Sequence, residues 1–147
     1  MAGFEFVHRL CGAAPTIRDI IAADTTFNVG DLVNLETGTA DLAVTNDTKL
    51  IGVVVAPKDP AKITDAGVIT SNGTTDMIRV IIDEDAIYSV ADANARKFGA
   101  LLDITGGTGA QGVGAPTNND AIVVADSTAS EHTLVMLSQA NHVLASS

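Results

Sequence analysis

The chain has 147 residues, of which 46% are hydrophobic, and its 18 acidic and 8 basic residues give a formal net charge of −10. This length and composition predict one globular domain and exclude a disordered chain. The negative charge argues against nucleic acid and membrane surfaces as partners, because duplex backbones and anionic lipids are themselves negative.

The N-terminal residues 1–15 are predicted to be an extended arm in front of a single domain, residues 16–147. Phe4 and Phe6 alternate with other residues as a strand requires, and the stretch from Gly12 to Pro15 interrupts that pattern. An aromatic, locally neutral arm on an acidic body indicates a contact segment. The alternative is that both rings fold back onto the domain's own core.

Two further features of the N-terminal region concern its processing and its thiol. It has no apolar stretch of signal-peptide length, so we expect the protein to be used without export. Cys11 is the only cysteine, which excludes an internal disulfide. We expect its side chain to be a small buried hydrophobe.

Strand patterns fill residues 16–56. β-Branched residues favour a strand over residues 16–21. The stretch FNVGDLVNLETGTADLAVTNDTKLIGVVVA then contains three apolar-alternating runs separated by turn-forming pairs, Thr37-Gly38 and Asn46-Asp47. It predicts a β-meander. In the first run, the alternation predicts a half-buried apolar surface and polar side chains that face water; the two groups are Leu32, Val33 and Leu35, and Asp31, Asn34 and Glu36.

The middle of the chain combines a long loop, two strands and a helix signal. Residues 58–76 are rich in turn formers and are predicted to be a surface loop with a short strand at Val68-Ile69. MIRVIID and AIYS are predicted strands. Ser89 and Asp92 have the spacing of a capping box, and Gly99 follows as a stop signal, so a short helix that buries Phe98 is predicted over residues 89–98.

Three more strand patterns, LLDI, AIVVA and HTLVMLS, complete the chain around a glycine-rich loop, residues 106–120. Short strands separated by turns are typical of all-β domains. The predicted fold class is therefore mainly β, a small barrel or sandwich with one short helix and the extended N-terminal arm.

The chain contains three groups that resemble chemical sites. Gly107, Gly109 and Gly112 match G-x-G-x-x-G, but Gly114 and Pro116 follow where a dinucleotide site needs a helix, so we predict a flexible β-loop. The carboxylates of residues 83–85 could attract a hard cation, yet a solvated turn is the favoured interpretation. The three histidines are widely separated, and no nucleophile elbow is present. We expect no enzymatic activity, no metal and no cofactor.

Most of the chain resembles the head decoration, or capsid cement, proteins of tailed bacteriophages. The resemblance is carried by residues 16–56, with FNVGDLVNL and KLIGVVVA, and by MIRVIIDEDAIYSV and IVVADSTASEHTLVMLSQ. It implies a barrel or β-tulip-like body that forms homotrimers on the outer face of a capsid. There it would bridge neighbouring subunits of the major capsid protein, so the expected location is the virion.

Within this resemblance, we expect the capsid contact to lie in and behind the arm, at Phe4, Phe6, His8, Arg9, Ile17 and Arg18. An extended arm can add a strand to an exposed sheet edge, where main-chain hydrogen bonds provide affinity. The alternatives are a phage tail or head-fibre base module and a small non-viral binding domain or enzyme.

Overall fold

The computed structural model describes residues 3–36, 38–44, 49–73, 75–115 and 119–138, and it confirms the mainly β fold class. The predicted turn at Asn46-Asp47 lies outside the described residues, as does Thr37. The described ranges contain thirteen strands: β1 Phe4–Arg9, β2 Ile17–Ile21, β3 Thr26–Asn28, β4 Leu32–Glu36, β5 Thr39–Leu42, β6 Leu50–Pro57, β7 Val68–Thr70, β8 Met77–Ile81, β9 Ala86–Ala91, β10 Leu101–Thr105, β11 Gly112–Gly114, β12 Ala121–Val123 and β13 His132–Leu137.

The strands form three antiparallel sheets. The largest has six strands in the order β1-β9-β13-β12-β10-β11, the second has five in the order β2-β8-β6-β4-β5, and β3 pairs with β7. The arrangement is consistent with a β sandwich, and none of the sheets closes into a barrel within the described ranges. The two outer strands of the five-stranded sheet approach each other and share one parallel bridge, between Ala22 and Ala40.

The five-stranded sheet lies between two hydrophobic cores. Leu32 and Val33 are adjacent on β4 and point to opposite faces, and both are fully buried. Leu32 belongs to the core shared with the six-stranded sheet, whereas Val33 packs with Phe27 and Ile69 of the β3–β7 pair. Because both faces are covered, β6 can carry an almost continuous apolar run in place of a strict alternation.

The predicted meander is wrong in its strand order. β5 pairs with one edge of β4 and β6 with the other, so β4 is the central strand of the three. The predicted exposure of Asp31 and Asn34 is also wrong, since both side chains are buried. Asn34 is buried because β4 has a core on each face and no solvent face. Asp31 precedes β4 and is buried where it accepts hydrogen bonds from Asn28 and Gly109. The side chain of Glu36 lies outside the described part of the structure.

The helix predicted over residues 89–98 is wrong. Ser89 lies within β9, where it pairs with Glu5 of β1 and Leu134 of β13. These cross-strand pairs, together with the burial of Tyr88 and Val90, outweigh the local capping signal. Phe98, expected on a buried helix face, is 73% exposed. The short helix observed among the described residues is a 3-10 turn at Pro60–Lys62, capped by Asp59.

Candidate binding surface

The N-terminal strand β1 is an integral part of the larger sheet. Phe4 is only 3% exposed, and its ring packs edge-on against Tyr88, with the ring centroids 6.4 Å apart. Phe6 makes a second edge-on contact with the same ring, also at 6.4 Å. The structure thus corrects the proposed contact role of Phe4, because that side chain belongs to the domain's own core. Deleting residues 1–15 would remove a paired strand as well as an arm.

A bulge in β1 separates these buried rings from His8. Phe6 pairs with Tyr88 and His8 with Ile87, so Val7 is the extra residue. Val7 and His8 are both exposed, as is Leu10 beyond the strand. The outer part of β1 therefore offers exposed side chains on an end strand that pairs with β9 on one side.

Arg9 ties the end of β1 to an acidic turn, residues 83–85. Its Nε donates to Asp85 Oδ1 at 2.8 Å, and its Nη1 lies 3.4 Å from Asp83 Oδ1. The hydrogen bond from the Arg9 guanidinium lowers the pKa of Asp85. Arg9 is therefore engaged within the molecule and is not a free contact residue.

The same two carboxylates also hold the connector that joins β1 to β2, residues 10–16. Thr16 N donates to Asp83 Oδ2 at 2.6 Å, and Cys11 N donates to Asp85 Oδ2 at 3.3 Å. The acidic turn thus acts as an internal clamp for the connector. In the described part of the chain, no group of three or more His, Cys, Asp or Glu side chains is placed to hold a metal ion. The Cys11 side chain is exposed, so the prediction that it is buried is wrong.

Strand β2, which follows the connector, is the open edge of the five-stranded sheet. Four of its five residues are exposed, among them Ile17, which is 48% exposed, and Arg18. On the neighbouring strand, Arg79 donates to Asp19 Oδ1 at 3.2 Å. Of the predicted contact residues, His8, Ile17 and Arg18 are the three that remain exposed to solvent.

The glycine-rich loop is held to the body of the protein by two buried polar side chains that the sequence did not reveal. Asp31 accepts hydrogen bonds from Asn28 N at 2.8 Å and from Gly109 N at 3.0 Å. Burial raises the pKa of the Asp31 carboxyl. Gln111 bonds to both backbone groups of Leu32 and to the carbonyl oxygen of Ala43. Residues 106–115 are thus anchored to the body of the protein, and the chain after the glycines forms strand β11, as expected for a β-loop and not for a dinucleotide site.

A groove of about 410 Å³ lies beside β1 and is bordered by β6. Phe4, Phe6 and Val55 contribute apolar walls, and Glu5 and His132 are the ionisable residues that line it. Of the six residues predicted for the capsid contact, Phe4 and Phe6 line this groove and the other four do not. No helix in the described ranges is long and apolar enough to cross a bilayer.

In comparisons with protein-family models and with curated proteins, the chain matched none of them.

Proposed function

We propose that this protein decorates the outer face of a phage capsid, as a homotrimer, and stabilises it by bridging neighbouring subunits of the major capsid protein. The observation that carries the proposal is an open strand edge, β2, at one end of the five-stranded sheet, with four of its five residues exposed. The resemblance of the strand segments to head decoration proteins supports the same assignment.

The described chain is suited to adhesion through shape and backbone. An unpaired strand edge can take up a segment of another protein by main-chain hydrogen bonding, without any reactive side chain. Three copies would make each further attachment intramolecular, so weak single contacts become a stable bridge. The net charge of −10 would keep decorated particles apart in solution.

Binding to capsids tests this proposal directly. The purified protein is mixed with expanded, undecorated capsids of the phage whose genome encodes it, sedimented, and examined by electron microscopy. We expect saturable co-sedimentation, density on the outer surface, and a mass in solution three times the 15.0 kDa of one chain. Density confined to the tail or head fibre, or no binding at all, would contradict the assignment.

Two exposed residues on different sheets provide matched variants for the same assay. Ile17→Glu places a charge on the open edge, whereas Leu101→Glu places one on β10 of the other sheet, at a similar exposure of 40%. We expect capsid binding to weaken at least about tenfold for Ile17→Glu alone, since a carboxylate must be desolvated in the interface. Equal effects of the two variants would remove β2 from the contact.

A further inference from the structure

The open edge of β2 has backbone groups that point away from its own sheet. Ile82 N donates to the carbonyl oxygen of Thr16 at 3.1 Å, and Ala22 N donates to that of Asp76 at 3.0 Å. In an antiparallel pair, alternate residues bond to the partner strand, so the even-numbered residues of β2 face β8. The N–H and C=O groups of Ile17 and Asp19 therefore face outwards.

The far end of β2 is closed, and this sets the length of the open edge. Ala23 N donates to the carbonyl oxygen of Ala40 at 2.8 Å, next to the bridge that joins Ala22 and Ala40. No such contact with another described segment is made at Ile17 or Asp19. The open edge is thus residues 17–20, enough for a short strand to add to the sheet.

Positive charge is concentrated around this edge in a chain that is otherwise acidic. Half of the eight basic residues lie on or beside β2, namely Arg18, Lys58, Lys62 and Arg79. Lys58 and Arg79 share the Asp19 carboxylate, and Lys62 pairs with Asp76. In these ion pairs three cations are balanced by two carboxylates, and Arg18 forms no ion pair with a described residue.

The side chains on the two sides of the edge differ in chemistry. Ile17 and Ile21, which are both large exposed hydrophobics, lie on one side of β2, and the charge-paired Asp19 lies between them. Arg18 lies on the other side, opposite Val80. A strand that pairs with this edge would meet two isoleucines that flank an ion-paired aspartate on one face and the Arg18 cation on the other.

We propose that the open edge of β2 binds an extended polypeptide segment in which apolar and acidic residues alternate, and that this segment adds to the five-stranded sheet as a further strand. The inference rests on the proposed function, under which the segment belongs to a capsid subunit. The outward backbone groups of Ile17 and Asp19 provide the main-chain bonds. The exposed isoleucines select the apolar residues on one face, and Arg18 selects the acidic ones on the other.

A pair of synthetic peptides tests the chemistry without any capsid. Fluorescein-labelled VEVTVEV and VKVTVKV are titrated with the intact protein, and binding is followed by fluorescence anisotropy in 50 mM and 500 mM NaCl. We expect the glutamate peptide to bind at least about tenfold more tightly than the lysine peptide at low salt, and the preference to shrink at high salt. Equal binding of the two peptides, or no binding of either, would overturn the proposal.

A proline variant tests whether the backbone edge itself is used. Asp19→Pro removes an outward N–H and leaves the bonds to β8 in place, because edge strands tolerate proline where the N–H faces solvent. Asp19→Ala is the matched control, since both variants lose the ion pair with Arg79. We expect Asp19→Pro to weaken binding of the glutamate peptide about tenfold relative to Asp19→Ala, with unchanged circular dichroism. Equal affinities of the two folded variants would show that the edge is not the site.

These outcomes separate the inference from the function on which it rests. If capsid binding survives both Asp19→Pro and Ile17→Glu, the decoration role stands and binding at the open edge of β2 is wrong. If the peptide binds but the capsid does not, binding at the open edge stands and the decoration role is wrong. Concentration-dependent self-association that is abolished by Asp19→Pro would show that the edge is occupied by a second copy of this chain, and would also overturn the proposed occupant.

Discussion

Two irregular segments are held to the sandwich by aspartate side chains, and they differ in whether a cation takes part. The connector, residues 10–16, is held at the surface by Asp83 and Asp85, which also pair with Arg9. The glycine-rich loop, residues 106–115, is held by the buried Asp31, which accepts two backbone N–H groups. The comparison teaches that similar carboxylate–backbone contacts can respond to pH in opposite directions, because one is charge-paired and the other is desolvated.

The largest loss of stability is expected when the polar side chain that anchors the glycine-rich loop, Gln111, is removed. Gln111→Ala removes the side-chain partner of three buried backbone groups of Leu32 and Ala43 and opens a cavity, although the Leu32 carbonyl oxygen keeps its hydrogen bond from Ala43 N. We expect a loss of about 4 kcal/mol in the free energy of unfolding, measured by urea denaturation. Thr108→Val, which removes one exposed hydrogen bond to Thr26, is the control and should cost about 1 kcal/mol or less. Similar losses for both variants would contradict the anchoring role.

Removing the cation should release the connector and leave the glycine-rich loop in place. Arg9→Met breaks the bridge to Asp83 and Asp85. Amide hydrogen exchange should then show a loss of protection of about tenfold at Thr16, with no change at Gly109. Arg18→Met is the matched control, because Arg18 pairs with no carboxylate in the described chain. Unchanged protection at Thr16 would mean that the carboxylates hold the connector without the guanidinium.

Acid should affect the two anchors in opposite directions. The folded pKa of Asp85 is lowered, so its contribution to stability is present above the ordinary Asp range and is lost as pH falls through the folded value. The folded pKa of Asp31 is raised, so ionisation of this group opposes folding, and the opposition disappears as pH falls.

Urea titrations at pH 7, 5, 4 and 3 can measure this difference. The stability of the wild-type protein relative to Asp85→Asn should decrease towards low pH, whereas its stability relative to Asp31→Asn should increase. Parallel pH profiles of the two differences would refute the contrast between a charge-paired and a desolvated carboxylate.

The smallest effects are expected at Cys11, whose side chain is exposed and whose contact is made by the backbone N–H. Cys11→Ser should change the free energy of unfolding by less than about 0.5 kcal/mol. The thiol should react fully with a disulfide reagent in the folded protein, because its side chain is exposed. A thiol that reacts only after unfolding would contradict the described exposure.

The sequence was informative where structure depends on neighbouring residues. The strands β2, β6, β7 and β8 were predicted from β-branched and alternating patterns, and the structure confirms them. The position of β5 at the edge was not predictable, because strand order depends on pairing between distant segments. The helix predicted from the capping box at Ser89 failed for the same reason. Ser89 pairs with Leu134, which is distant in the sequence, and this pairing places Ser89 in a strand.

The contacts of Gln111 and Arg9 could not be predicted from the sequence either, because their partners are distant in the chain. Gln111 bonds to Leu32, which is 79 residues away in the chain, and nothing in the local pattern marks either residue. Arg9 and the acidic turn could be seen separately in the sequence, but their pairing spans 76 residues. Exposure of Ile17 and Arg18 was expected and is observed, since an edge strand needs no long-range partner on its open side.

The placement of β4 and β6 between two hydrophobic cores affects how the protein unfolds. Each of these strands supplies side chains to both cores, so neither core can persist once the central strands separate. We therefore expect unfolding to be all-or-none, with few half-folded species that expose bare strand edges. The architecture thus protects the protein against aggregation, because such species are the ones that polymerise.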